Sequence, residues 1–327
     1  MHNKMKPIFR GNTFALMIIA TQFIGSIIMA YTIGPRLTVG QTLVLSQILF
    51  LICPVIIYFL VTKKPIKETL RLNKLYGSEI FFLVLIGILC YPIAATCSVL
   101  SSIFFQNNVQ AVVDQLQGIP LISLVMIMAL TPAICEEIVM RGIILSEYNY
   151  KSTFKAAIMT GLIFGMLHLS GQQFLYATIL GFLFAYLVRI TDSLFSTMIV
   201  HFVFNGFNVV LSHKATSMKQ IQDVSPETYG VINVNDAISM LIPLIILSAI
   251  VIFIIVLMIK SMKNKRLVNK AASIPLMIEN NIIEEDVMVT EGSAYFREGI
   301  ENKFEIMLNI PFILMVIFNI IYIVLFS

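Results

Sequence analysis

Apolar segments follow one another almost without interruption from Thr13 to Ile259. About 20 apolar residues in a helix cross a bilayer's hydrocarbon core. Backbone N–H and C=O groups find no water there, so each segment must satisfy its own hydrogen bonds as a helix. Composition agrees: the chain is 58% hydrophobic and 12% charged, with a mean hydropathy of +0.91. A soluble domain is nearer half apolar and a quarter charged. The pattern predicts an all-α, polytopic integral membrane protein.

Spanning helices are expected at 13–33, 42–61, 79–103, 120–140, 155–169, 174–190, 193–212 and 238–259, with a further apolar segment at 307–326. This divides the chain into an eight-helix core over residues 1–259, a charged cytoplasmic tail over 260–306, and an extra membrane helix. Lys4, Lys6 and Arg10 precede a first run of spanning length with no small-residue cleavage site after it, so that run is read as a retained helix. With the N-terminus in the cytoplasm, all of the 22 Lys and Arg residues except Arg36, Lys214 and Lys219 fall on inside segments. The positive-inside rule therefore predicts a multi-pass cell-membrane protein with a cytoplasmic N-terminus. Membrane lipids surround it, and the net charge of +4 gives no reason to expect nucleic acid. Cys53, Cys90, Cys97 and Cys135 all lie in apolar runs without C-x-x-C spacing, which predicts buried free thiols.

Against this background Glu136 and Glu137 stand out. Each carboxylate at mid-bilayer costs roughly 2.5–3.5 kcal/mol on insertion scales, so a chain that merely spans has no reason to keep two. Arg141 is four residues after Glu137, the favourable order for an i,i+4 ion pair. Glu136 points about 100° away and is left out of that pair. A desolvated carboxylate suits general acid or base work. The plain alternative is that both glutamates pair with Arg141 at the cytoplasmic end of the helix.

Two later segments each carry a histidine. His168 lies in GLIFGMLHLSG, where Gly161 and Gly165 allow close approach of another helix. His201 and Asn205 lie in SLFSTMIVHFVFNGFNVV at i,i+4, on one helix face, and Asn208 is placed to share it. Such groups donate hydrogen bonds to a developing oxyanion. Either set also reads simply as helix–helix hydrogen bonding. His2 and His213 are terminal or loop residues with no assigned role. With helix ends at Arg141, Lys155 and the start of the 193–212 segment, Glu136, His201 and His168 lie at about 7.5, 12 and 20 Å depth. They converge only if the 155–169 helix begins below the membrane or tilts.

Glu136-Glu137-x-x-x-Arg141, Phe164-x-x-x-His168 and His201-x-x-x-Asn205 resemble, in order, the three motifs of the CPBP family. That family contains the type II CAAX prenyl endopeptidases and bacterial proteins of bacteriocin processing or immunity. The resemblance covers roughly residues 120–210. It implies an intramembrane endopeptidase acting on a membrane-associated peptide or protein. Glu136 and His168 would activate water, His201 and Asn205 would stabilise the tetrahedral intermediate, and Glu137 with Arg141 would support the site. The same resemblance raises zinc held by Glu136, His168 and His201 as His₂Glu. Metal-free glutamate chemistry is the other option, and no H-E-x-x-H run decides between them. A non-proteolytic immunity or scaffold protein of the same fold and a small-solute or proton-coupled transporter are the rival readings.

Overall fold

In a computed structural model the described residues are 5–106, 115–116, 118–221, 233–279 and 305–326. Among them the secondary structure is helical throughout, with no strand. The long helices are α1 (Pro7–Tyr31), α2 (Val39–Thr62), α3 (Gly77–Ser101), α4 (Leu121–Glu147), α5 (Thr153–Leu167), α6 (Gly171–Thr191), α7 (Phe195–Ile221), α8 (Val234–Glu279) and α9 (Ile310–Phe326). Seven of these are long and apolar enough to cross a membrane, and α5 and α9 are shorter apolar helices. The expected all-α polytopic architecture is therefore what the chain adopts.

Local chemistry sets the helix starts. Thr38 and Gln41 form a reciprocal capping box at α2, with Thr38 Oγ1 accepting from Gln41 N at 3.3 Å and Thr38 N donating to Gln41 Oε1 at 3.0 Å. Ser152 and Ser170 cap α5 and α6. Helix α1 has no such local cap. Its Ile8 and Phe9 N–H groups instead donate to the Glu305 carboxylate at 3.0 and 2.8 Å, from the opposite end of the sequence. This satisfies orphan donors and places negative charge at the positive end of the helix dipole.

Helix α6 lies between two apolar clusters. Ala177, Ala185 and Val188 pack with residues of α1, α2, α4, α5 and α9, while Leu180, Phe184 and Leu187 pack with α3, α7 and α8. The glycine reading holds: a Cβ at Gly161 would sit 2.8 Å from Phe182 N and Thr178 O, so only glycine lets α5 lie this close to α6. All four cysteines are free, Cys90, Cys97 and Cys135 buried and Cys53 half-buried.

One end of the bundle gathers the polar connections. Arg10 and Lys64 both bond Glu147, at 2.6 and 2.9 Å, and Tyr58 donates to the same carboxylate. Arg71 pairs with Asp192 at 3.2 Å, Asn73 with Asp192, and Arg266 with Glu79. These residues come from the loops and helix ends that the charge count assigned to one side.

Three expectations are corrected. Helix α4 does not stop at 140 but runs to Glu147, so Arg141 is not at its end, and it is fully buried. Residues 260–269 are not free tail: α8 continues through them, with Met262 buried and Arg266 tied to α3. The 307–326 segment does not lie apart from the core. Asn12 Nδ2 donates to Met307 O and Asn309 Oδ1, Asn319 Nδ2 donates to Met166 O at 2.8 Å, and Phe312 and Met315 join the larger cluster. These amides have no other partner in lipid, which draws α9 onto α1 and α5. The acidic run Glu284–Glu291 lies outside the described residues.

Candidate active site

Helix α4 brings its glutamates in on a distorted backbone. Thr131–Glu137 is α-helical but is flanked by wider i→i+5 turns at Met126–Leu130 and Ile138–Ile144. Such turns recur at functional sites. Pro132 supplies part of the reason: it has no N–H, so the Met128 carbonyl loses its α-helical donor. Asn205 Nδ2 from α7 takes that place, donating to Met128 O at 3.3 Å.

Glu137 is fully buried, and its Oε1 accepts from Arg141 Nη1 at 2.9 Å and from His201 Nδ1 at 2.8 Å. Thr197, one turn before His201, lies against the same carboxylate. Arg141 also donates to Gly181 O at 3.2 Å and sits over the Phe164 and Phe184 rings, 4.3 and 5.2 Å from their centroids. A desolvated guanidinium over an aromatic face gains about 2 kcal/mol. Two motif residues, Arg141 and Phe164, thus touch directly, and Phe164 also lies edge-on to His168 and His201, at 4.8 and 6.1 Å.

The expected division between the two glutamates is present. Glu137 takes Arg141, while Glu136 is half-buried and receives only a long hydrogen bond, 3.4 Å, from Gln47 Nε2 of α2. Glu136 is eleven residues inside the end of α4, about 16 Å deep, rather than five. The depth mismatch with His168 is closed largely from the α4 side.

His168 terminates α5. Its Nδ1 lies 2.9 Å from Phe164 O, which can only accept, so Nδ1 carries a proton and, in the neutral ring, Nε2 keeps a lone pair. The next residue, Leu169, has φ of 46°. A left-handed leucine is strained, and such strain concentrates at functional sites. It lets the chain turn at once into α6, holding His168 at the buried end of the hairpin.

Asn208 donates to Phe204 O of its own helix at 2.9 Å. Among the described residues no group of three or more His, Cys, Asp or Glu side chains converges as a metal-ligand set. His201 spends Nδ1 on Glu137, and Glu136, His168 and His201 are not gathered as His₂Glu. Sequence reasoning passed over Gln47, Thr197, Phe184 and Tyr176. Tyr176 was detectable: it is a polar-tipped residue in mid-span, eight residues past His168. Its ring is 6.5 Å from that of His168, and Glu136 is within electrostatic range of its hydroxyl.

Residues 118–207, which hold every motif residue, match the profile described as type II CAAX prenyl endopeptidase Rce1-like. Over these residues the chain is similar to that family. A protein of Bacillus subtilis (strain 168) described as "Putative membrane peptidase YdiL" is 28% identical over 179 residues, covering 51% of this chain and 70% of that protein. No solved structure matches. Both comparisons support a membrane protease at family level.

Proposed function

We propose that the protein is an intramembrane endopeptidase that hydrolyses a peptide bond of a membrane-associated peptide or protein, with Glu136 as general base. The observation that carries this reading is the unequal use of the two glutamates. Glu137 Oε1 takes both Arg141 and His201 at short range, while Glu136 has only the long Gln47 contact. Glu136, left with one weak contact, is available to act as a base.

In the proposed reaction Glu136 removes a proton from water as the oxygen attacks the scissile carbonyl carbon. His168 Nε2, the lone-pair nitrogen of the neutral ring, accepts a hydrogen bond from the same water. The tetrahedral intermediate collapses as the C–N bond breaks, and the proton held by Glu136 passes to the leaving amine. Glu137 and Arg141 fix His201 in place. The proposed steps use protein groups alone.

The test uses detergent-solubilised, full-length protein and a randomised quenched-fluorescent peptide library, with and without a C-terminal farnesyl-cysteine. Cleavage by the wild type and none by Glu136→Gln is expected. Preference for the farnesylated set would extend the reading to prenylated substrates. Undiminished cleavage by Glu136→Gln would overturn it, and would point to a contaminant or another base.

A further inference from the structure

We propose that Tyr176 is a further catalytic residue, whose hydroxyl donates a hydrogen bond to the oxygen of the tetrahedral intermediate. This deepens the endopeptidase reading and rests on it.

Donors for an oxyanion are short at this site. A peptide-bond hydrolase needs fixed donors aimed at the oxyanion, about 2.7–3.1 Å away. His201 and Asn205 are the residues expected to supply them. His201 donates Nδ1–H to Glu137, so in its neutral form its other nitrogen carries a lone pair and cannot donate. It donates there only as an imidazolium. Asn205 gives one amide hydrogen to Met128 O, the carbonyl that Pro132 leaves open, so it brings at most one N–H to the oxyanion.

Tyr176 meets the requirement in its ordinary neutral state. It sits in the first half of α6, whose close packing on α5 through Gly161 and Gly165 fixes its distance from His168. Its ring stands at 68° to the His168 ring with centroids 6.5 Å apart. Glu136 interacts electrostatically with it, yet no hydrogen bond joins the two. The phenol thus lies next to the His168 ring and within electrostatic range of Glu136, and in the proposed complex the reacting carbonyl lies between base and donor. It packs partly buried against both apolar clusters, which hold the ring in place.

Tyr176→Phe keeps the ring and removes only the hydroxyl. Cleavage of the same peptide library should fall about 10²–10³-fold in kcat, the loss typical of one oxyanion donor, with KM and thermal midpoint unchanged. Wild-type cleavage with unaltered kcat in Tyr176→Phe would overturn the role of Tyr176 alone. So would a loss confined to KM, or a loss that tracks a lowered thermal midpoint. A wild type that cleaves no peptide would overturn the endopeptidase reading itself, and the role of Tyr176 with it.

Discussion

Glu137 holds His201 by its Nδ1 at 2.8 Å through the same oxygen that takes Arg141 at 2.9 Å. One buried carboxylate thus joins two motifs that lie 64 residues apart in sequence. Arg141 offsets its charge, and His201 is fixed by it in a single tautomer while neutral.

Removing one member of this group should leave an uncompensated charge in a low-dielectric interior, at a cost of about 3–5 kcal/mol. Glu137→Ala and Arg141→Ala should each lower the thermal midpoint and the yield of folded protein. The double variant should recover part of the loss. Equal midpoints across all three would show that the pair does not matter to stability.

Glu136→Ala should behave in the opposite way. The side chain is half-buried with one long hydrogen bond, so the variant should keep the wild-type midpoint while losing peptide cleavage. Parallel thermal unfolding and cleavage measurements separate the two glutamates. A large loss of stability would mean that Glu136 is structural.

Gly161→Ala inserts a methyl 2.8 Å from the backbone of α6, where no flexible side chain can yield. Overpacking of this kind costs typically 1–3 kcal/mol. Because α5 and α6 set the spacing of His168 and Tyr176, cleavage should fall together with stability. A neutral result would show that the two helices separate freely.

Asn319→Leu removes the α9 amide that donates to Met166 O, two residues before His168. Hydrogen bonds between membrane helices average about 0.6 kcal/mol, so a small loss of stability is expected, with α9 more readily cleaved by added protease. Unchanged protease sensitivity would mean that apolar packing alone retains α9.

Lys67 and Lys214 are both exposed, and the charge count puts them on opposite sides. In a cysteine-free background, Lys214→Cys should react with an impermeant thiol reagent on intact cells and Lys67→Cys should not. The reverse labelling would invert the protein and present its polar-contact end to the outside.

Hydrophobic runs of spanning length determine helices by themselves, because a backbone in lipid has few other ways to satisfy its hydrogen bonds. The i,i+4 pairing of Glu137 with Arg141, the common face of His201 and Asn205, and the close-packing glycines of α5 are likewise properties of a single helix, and all were legible in the sequence. Tertiary structure decided the rest. Nothing local indicates that Glu305 closes the first turn of α1, or that the 307–326 segment packs into the core. Nor does it indicate that Gln47 reaches Glu136, that Tyr176 turns toward His168, or that Asn205 answers the carbonyl left open by Pro132. Helix periodicity fixes which residues share a face; it does not fix which helix that face meets. That choice is made when buried polar groups, unable to turn to water, find partners on distant segments.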